Sequence, residues 1–330
     1  MSLFSLQRYR PLGLLALAVA SLAQAQPVAQ VKTQVPGYFR LAVGDYEVTA
    51  LFDGYNDLSP DLLQGLSKDA IRALLTRQHV DPARMRTHFN TFLVNTGSHL
   101  ILVDTGAGQC IGETAGSLVG NLRAAGYEPE QVDTILLTHL HLDHVCGLVD
   151  GQGAALFNQA KVYVEQAEAD YWLSSANMAK APAAARELFE IAQRSVAPYK
   201  AAGRLQTFVP PAAPVPEVQT QLEAGHTPGS TTYRFTSAGH SIVFIGDLVH
   251  SLAVQFEHPE VGIHFDSNSP QAIATRRAVF GGLADGDAWV GAAHLPFPGL
   301  GHISRHGKVF EWVPALYGPY QPAAQVPLLK

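Results

Sequence analysis

The sequence predicts an α/β fold in which short apolar strands alternate with helices. The chain is 47% hydrophobic and 15% charged, which allows a sizeable core and does not indicate disorder. Period-two alternation recurs over 38–103 and again over 218–246, and helical patterns follow both stretches. Several apolar runs end in His or Asp, the position at which open α/β sheets carry their chemistry.

The first half of the chain begins with strands and continues with helices. Alternation predicts strands at 38–41, 46–51, 90–94 and 99–103, the last two joined by a turn at Asn95-Thr96-Gly97. Residues 56–61 read as a turn-rich loop and residues 69–78 as a short helix. Helical spacing over 113–125 stops at Gly126, and an apolar strand follows at 133–137.

The second half repeats this order. A short helix is predicted from Val145, and further elements are a strand at 160–164, helices at 166–173 and 183–196, and strands at 218–226, 231–236 and 241–246. Four prolines within 209–216 indicate a stiff surface connection. Ser269-Pro270 opens a helix to about residue 284. The strand at 289–294 is the last one predicted, and the residues after Gly301 read as a short tail rich in glycine and proline.

Residues 1–25 have the pattern of a secretory signal peptide. Arg8 and Arg10 precede an apolar run over 12–22, and Ala23-Gln24-Ala25 fits a small-x-small cleavage site. The run is short for a membrane span, and an uncleaved anchor is the alternative. We therefore expect a periplasmic or secreted protein with no stable membrane insertion after cleavage. A flexible lead at 26–36 and a single domain at 37–330 would follow the signal.

Charge and cysteine content narrow the function further. Loss of Arg8 and Arg10 would change the formal net charge from −6 to −8, because residues 1–25 contain no acidic side chain. Such a chain is a poor match for nucleic acid. An exported protein could join Cys110 to Cys146. We interpret Cys146 as a packed free thiol near His144 rather than as half of a bridge, although the sequence leaves the pairing open.

The densest group of reactive side chains lies in the segment 138–144, Thr-His-Leu-His-Leu-Asp-His. It places three imidazoles and one carboxylate directly after the strand predicted at 133–137. Neutral imidazole and carboxylate are the usual ligands of zinc and similar divalent ions. Four such groups this close can serve two ions. The alternative, a chance cluster of surface histidines, does not account for so specific a pattern.

Three further ligand candidates follow at the ends of apolar runs: His226 in Gly-His-Thr-Pro-Gly, Asp247 and His294. In this order the chain resembles the metallo-β-lactamase-fold hydrolases, and the resemblance covers nearly the whole chain after the first 25 residues. It implies a four-layer αβ/βα sandwich in which two similar halves meet with the metals at one edge. Asp104 matches a carboxylate that supports the ligands of this family from behind.

The resemblance implies a site for two divalent ions. One ion would be held by His139, His141 and His226, the other by Asp143, His144 and His294, with Asp247 bridging them. Zinc is expected, and manganese, cobalt or iron can occupy such ligands. A hydroxide bridging the ions would be the nucleophile. Asp143 and Asp247 count as catalytic, and it stays open whether Asp143 is only a ligand or also passes a proton to the leaving group.

Within the family, the closest resemblance is to the methyl parathion hydrolase (organophosphorus hydrolase) group and its lactonase relatives. The shared motifs are Asp-Thr-Gly-Ala at 104–107, Gly-His-Thr-Pro-Gly at 225–229, Ala-Val-Gln-Phe at 253–256 and Ala-Ala-His-Leu-x-Phe-Pro-Gly at 292–299. Substrates of this group are neutral and often aromatic. Arg234 is the single basic residue between 205 and 275, which agrees with a neutral substrate.

His250 decides between substrates in this interpretation. It stands where related lactonases carry a tyrosine directed at the substrate carbonyl, and its imidazole could donate a similar hydrogen bond. We therefore predict a lactonase for aryl or alkyl lactones with promiscuous activity on organophosphate triesters. A dedicated phosphotriesterase and, further off, a non-catalytic secreted metal-binding scaffold are the alternatives. The residues expected to line the substrate cleft are Trp172, Phe189, His250, Ile263 and Phe265, with plain core as the alternative for Trp172 and Phe189.

The remaining expectations are less specific. Because dimers are common in the family that the chain resembles, we expect a homodimer with contacts in the segment 37–60. His302 reads as structural, and six other histidines are expected to be solvated: His79, His88, His99, His240, His258 and His306.

Overall fold

The computed structural model of the protein describes residues 28–320. The signal peptide predicted at 1–25 and the last ten residues of the predicted domain lie outside the described residues. Residues 28–35 contain no helix or strand, and residues 36–320 belong to one compact unit. Within 28–320, no helix combines the length and the apolar character that a membrane span requires.

The described chain contains fifteen strands. In chain order they are β1 (Tyr38–Val43), β2 (Tyr46–Leu58), β3 (Leu63–Gln64), β4 (Met85–Asn95), β5 (Leu100–Val103), β6 (Thr134–Leu136), β7 (Lys161–Glu165), β8 (Leu205–Phe208), β9 (Val218–Leu222), β10 (Thr231–Ser237), β11 (His240–Phe244), β12 (Gly262–Ile263), β13 (Trp289–Gly291), β14 (Leu300–His306) and β15 (Val309–Pro314).

The helices lie mainly between the strands. They are α1 (Lys68–Arg77), α2 (Leu118–Ala124), α3 (Leu142–Val145), α4 (Gln166–Trp172), α5 (Ser175–Lys180), α6 (Ala183–Ala201), α7 (Leu252–Gln255) and α8 (Ser269–Ala284). Short 3-10 turns lie at Pro60–Leu62, Pro129–Gln131, Cys146–Leu148 and Gly246–Leu248.

Two large sheets and one small one organise these strands. The first large sheet has seven strands in the order β1-β2-β4-β5-β6-β7-β8, antiparallel as far as β5 and parallel from β5 to β8. The second has six strands in the order β15-β14-β13-β11-β10-β9, with a parallel pair between β13 and β11. Strands β3 and β12 pair separately. The carboxyl ends of β6, β9, β11 and β13 lead into the loops that carry the ligand candidates.

Helices cover the outer faces of both sheets, so the protein has four layers. The two sheets bury an apolar cluster between them that includes Phe92, Leu136 and Phe244. Helices α2, α3, α4 and α6 pack outside the first sheet, and α8 packs outside the second through Phe280. The predicted α/β fold and its αβ/βα four-layer arrangement are confirmed.

The largest error in the predicted elements concerns the tail. The residues after Gly301 do not form a short irregular tail, because β14 and β15 make a hairpin that completes the second sheet. Residues 175–180 and 205–208 also form a helix and a strand that no sequence pattern indicated. The strands predicted at 241–246 and 289–294 end earlier, at Phe244 and Gly291, so Asp247 and His294 lie in the loops beyond them.

The structure differs from the prediction at two places near the buried carboxylate of Asp53. Strand β2 continues to Leu58, through the predicted loop, with a register shift between Phe52 and Gly54. Asp53 lies at that shift, and its side chain accepts hydrogen bonds from the main-chain N–H groups of Ala107, Gly108 and Leu118. Helix α2 therefore begins at Leu118. The helix predicted at 113–125 is wrong for residues 113–117, which are not helical.

The interpretation of Cys146 as a free thiol is wrong. Cys110 and Cys146 form a disulfide, with their Cα atoms 6.2 Å apart. The two segments already lie close because the N–H and hydroxyl groups of Thr105 both donate to the carbonyl oxygen of His144, at 2.8 and 2.9 Å. The residue at 147 must be glycine, since a Cβ there would clash with the carbonyl oxygen of Thr105. This close approach, which the sequence does not show, places the two sulfurs together.

Candidate metal centre

The first ligand loop, residues 137–144, connects β6 to α3. His139 and His141 lie in irregular chain before α3, which begins at Leu142, while Asp143 and His144 project from its helical turn. The N–H of Thr231 in the second sheet donates to the carbonyl oxygen of Thr138 at 2.9 Å. This hydrogen bond holds the loop against the other half of the molecule.

The other candidates come from three loops of the second sheet. His226 lies in the second ligand loop, residues 225–230, between β9 and β10, Asp247 lies in the 3-10 turn after β11, and His294 follows β13. All three are buried. Gly246 has a φ of +50° directly before Asp247, a left-handed conformation that glycine adopts without steric cost. The turn thereby brings Asp247 up against Thr138 and the first ligand loop.

The structure brings the seven predicted ligands together in two groups. His139, His141, His226 and Asp247 each offer one ligand atom, and these atoms lie within 4.8 Å of one another. Asp143, His144 and His294 form a second group by the same measure. The membership of each group is the one implied by the family resemblance.

Asp247 faces both groups, one carboxylate oxygen to each. Its Oδ2 lies 3.1 Å from Nε2 of His226 and 3.5 Å from Nε2 of His139. Its Oδ1 lies 2.9 Å from Nε2 of His144 and 2.9 Å from Nε2 of His294. A carboxylate in this position can bridge two ions.

The inward-facing atoms fit metal ions better than hydrogen-bond partners. Within residues 28–320, Nε2 of His139, Nε2 of His144, Nε2 of His294 and Oδ1 of Asp247 are buried and form no hydrogen bond of good geometry, although Oδ1 lies 2.9 Å from the nitrogens of His144 and His294. Buried polar atoms without partners are costly and rare unless an ion or water satisfies them. The donor set of imidazoles and carboxylates is the one that zinc and similar divalent ions prefer.

Most of the imidazoles are oriented from behind through Nδ1. His144 pairs with Oδ2 of Asp104 at 2.8 Å, and His226 pairs with Oδ1 of Asp266 at 2.9 Å. Asp104 adopts a left-handed φ of +57°, which is uncommon outside glycine but tolerated by Asp. A ring that donates through Nδ1 keeps its Nε2 free as a ligand atom.

The outer nitrogens of His139 and His294 are also engaged. Nδ1 of His294 is 2.8 Å from the carbonyl oxygen of His88, and Nδ1 of His139 is 3.1 Å from the hydroxyl of Thr138. His141 differs, because it turns Nδ1 inward, 3.0 Å from Nε2 of His226. Its ring packs edge-on against Trp172, with the ring centroids 5.2 Å apart. Packing therefore orients this ligand, whereas hydrogen bonds orient the other four.

Burial and charge act against each other at this centre. Burial lowers the pKa of His139 and of His141 well below the ordinary value, which keeps both rings neutral as metal ligation requires. Burial also disfavours a charged His226, but Asp247 and Asp266 outweigh it and raise the pKa of His226 to about 9. Burial likewise opposes ionisation of Asp247, yet the surrounding imidazoles hold its pKa well below the ordinary value. The carboxylates thus create a strong demand for positive charge here.

His250 lies at the same centre. Its Nε2 is 3.1 Å from Oδ2 of Asp247, and its ring lies 4.9 Å from that of His294 and 5.2 Å from that of His226. Burial lowers its pKa to about 4, so the ring is neutral at neutral pH. Asp247, His250 and His294 also satisfy the geometric criterion for a possible metal group.

The predicted cleft lining needs correction. Phe189 on α6 and Ile263 on β12 are each 1% exposed and belong to apolar core clusters. Trp172 is also buried, and it contacts the ligand His141 rather than an open cleft. Of the predicted apolar lining residues, Phe265 alone is exposed, at 41%.

Sequence reasoning missed three residues that support the ligands. Asp266 and Glu168 lack a recognisable motif, although Glu168 shares a helix face with Trp172, and a charge on an apolar face is a usable signal. His88 was expected to be solvated, which is wrong. It is largely buried, which lowers its pKa to about 4, and its carbonyl oxygen accepts from His294.

Comparison with known proteins gives the family. The model of the metallo-β-lactamase superfamily matches residues 87–282, more than half of the chain. A curated relative, the lactamase-like protein adaB of Aspergillus niger, is 42% identical over 71 residues, which is 21% of this chain and 21% of that protein. The match therefore spans about a fifth of the curated relative's length.

Two solved structures are similar over most of their length. The hydrolase AbOPH in the β-lactamase superfamily is 41% identical, with 87% of this chain and 100% of that chain covered and a TM-score of 0.83. AidC, a dizinc quorum-quenching lactonase solved with the product N-hexanoyl-L-homoserine, is 28% identical, with 86% and 98% covered and a TM-score of 0.79. Together with the fold and the two groups of ligand candidates, these matches show that the chain belongs to the metallo-β-lactamase superfamily of metal-dependent hydrolases.

Proposed function

We propose that this protein is a binuclear-metal lactonase that opens aryl or alkyl lactones and hydrolyses organophosphate triesters as a side activity. The observation that carries the proposal is the position of Asp247, with one carboxylate oxygen toward each group of ligand candidates. The similarity to AidC, a dizinc lactonase, supports lactones as the substrate class.

The ligand candidates divide into one set for each proposed ion. His139, His141 and His226 would hold one ion, Asp143, His144 and His294 the other, and Asp247 both, with zinc expected from the donor set. When bound, such ions activate water and polarise the oxygen of a substrate. The chain itself orients the ligands through Asp104, Asp266 and the carbonyl oxygen of His88.

Two side chains are proposed to move or hold protons during ring opening. Hydrolysis adds water across the acyl carbon–oxygen bond, so the ring oxygen that departs must gain a proton. Asp143 is the more exposed of the two ligand carboxylates, with 20% of its side chain accessible against 4% for Asp247. It can therefore pass a proton from the solvent to the leaving oxygen. His250 donates its Nε2–H to the carbonyl oxygen of the substrate.

One observation favours the second candidate, a dedicated phosphotriesterase. Nε2 of His250 already lies 3.1 Å from Oδ2 of Asp247. If the Nε2–H group of His250 keeps donating its hydrogen bond to that carboxylate, His250 has no N–H left to donate to a substrate carbonyl oxygen. The preference for lactones then loses its basis. The relative rates on the two substrate classes decide between these candidates.

The location of the protein is also a proposal. The Cys110–Cys146 disulfide supports a periplasmic or secreted protein, because disulfides persist in oxidising compartments. The acidic net charge supports a small neutral substrate and no nucleic acid. A homodimer is proposed on family habit, and the mass of the purified protein in solution tests it.

The function is tested by paired rate measurements on the zinc-loaded protein. Dihydrocoumarin and an N-acyl homoserine lactone represent lactones, and a methyl aryl phosphotriester represents the alternative. We expect kcat/KM to be at least tenfold higher for a lactone. A higher value for the phosphotriester would overturn the proposal in favour of the second candidate. Two bound metals without hydrolysis of any ester would indicate a metal-binding scaffold.

A further inference from the structure

Glu168 is a buried carboxylate in the first turn of α4 that the proposed reaction does not use. Its side chain is fully buried, and no cation pairs with it among the ion pairs of residues 28–320. The residue before α4, Glu165, accepts the main-chain N–H groups of Ala167 and Glu168 at 2.5 and 3.1 Å. This cap fixes the backbone from which Glu168 projects.

The two oxygens of Glu168 reach two different ligand loops. Oε1 accepts the N–H of Leu140 at 2.8 Å, and Leu140 stands between the ligand candidates His139 and His141. Oε2 accepts the N–H of Gly229 at 2.8 Å, three residues after His226. A single carboxylate therefore joins the first ligand loop, from the first sheet, to the second ligand loop, from the second sheet.

The second ligand loop is shaped for this contact. A Cβ at position 229 would clash with the main-chain nitrogen and Cβ of Glu168 and with Oε2 of Glu165, so glycine alone permits the approach. Burial raises the pKa of Glu168, while hydrogen bonds from Leu140, Thr227 and Gly229 act to lower it. A carboxylate without a counter-ion is retained at this position although its burial is costly, which indicates that both acceptor oxygens are needed.

We propose that Glu168 is a positioning residue for the three-histidine group, and that its carboxylate sets the separation of His139, His141 and His226. Backbone N–H groups of both loops converge on it, so the histidines on either side are held at a fixed spacing. Thr231 also donates to Thr138, on the far side of His139 from Leu140, and the rings of His141 and His226 approach each other to 3.0 Å. The proposal rests on the proposed two-metal site and is independent of the substrate.

The test is E168Q, because an amide has one acceptor oxygen and a donor nitrogen in place of the second oxygen. One of the two N–H groups would then face another donor, and one loop would lose its anchor. Partners behind metal ligands typically change metal affinity about tenfold to a hundredfold when they are removed. We expect the dissociation constant of one of two zinc ions, measured by chelator competition, to rise by at least about tenfold.

E165Q is the matched control. One oxygen of Glu165 accepts both capping N–H groups, so glutamine keeps the cap while the charge is lost, and residue 165 makes no hydrogen bond to either ligand loop. We expect E165Q to keep wild-type zinc affinity even if its melting temperature falls. Cobalt substitution adds a spectroscopic readout, because a displaced imidazole changes the visible bands of one cobalt ion and leaves the other unchanged.

The outcomes separate the two proposals. If the wild-type protein binds no zinc, the proposed function fails. If it binds two ions and E168Q binds both with unchanged affinity and unchanged cobalt bands, Glu168 has no positioning role. Equal loss of affinity in E168Q and E165Q would show that only helix α4 matters, and would also refute the inference. If E168Q does not fold, E168D replaces it, since the shorter side chain keeps the charge but cannot span both loops.

Discussion

Removal of the Cys110–Cys146 disulfide should destabilise the protein by an amount that its loop length sets. The bridge closes a loop with a sequence separation of 36 residues. In the chain-entropy model, the lost constraint on the unfolded chain costs about 4 kcal/mol for a loop of that size. The double variant C110A/C146A leaves the native contacts around Thr105 and His144 in place, so the effect should come mainly from the unfolded state.

Urea unfolding of chelated protein measures this effect without a contribution from bound metal. The expected shift of the midpoint is the calculated loss divided by the slope measured on the same samples. Reductant should lower the midpoint of the wild-type protein and leave that of C110A/C146A unchanged, which makes the variant its own control. A loss below about 1 kcal/mol, or a variant that no longer binds zinc when folded, would refute the reasoning.

The remaining predictions concern the candidate metal centre. H226A should reduce the metal content from two ions to at most one per chain and abolish activity, and full activity with one ion would contradict the two-metal assignment. D266N should weaken the binding of one zinc ion about tenfold, because the residue that pairs with Nδ1 of His226 loses its charge. D285N, at an exposed site, is the control and should keep the wild-type zinc affinity. Equal zinc affinities of the two variants would exclude a role for Asp266. H250L should raise phosphotriester kcat/KM relative to lactone kcat/KM about fivefold to tenfold, the value of one hydrogen bond, and an unchanged ratio would mean that His250 does not face the substrate.

The core of the site could be predicted because its ligands follow strands. His139 follows β6 of the first sheet, whereas Asp247 and His294 follow β11 and β13, adjacent parallel strands of the second sheet, and the carboxyl ends of these strands lie at the edge of each sheet where α/β folds carry their chemistry. The exact end of each strand did not matter, since loops of two or three residues still carry the side chain to that edge. Local sequence and sheet geometry agree here.

Other features depend on tertiary placement that local sequence does not encode. Cys110 reaches Cys146 because Thr105 is bonded to His144, and Glu168 reaches Gly229 because that residue lacks a side chain. The β14–β15 hairpin depends on the pairing of β14 with β13, and the residues of the hairpin alone did not predict it. For Phe189, the sequence predicted the helix but not the residues that pack against this side chain and bury it.

The two ligand loops have a consequence for the lifetime of the folded protein. Each ion would take side chains from both halves, His139 and His226 for one, His144 and His294 for the other. An ion so held is a cross-link between the sheets, and its binding free energy adds to the free energy of unfolding. Resistance to proteases would then follow the free zinc of the surrounding compartment, so that the same ions govern both catalysis and how long each molecule survives.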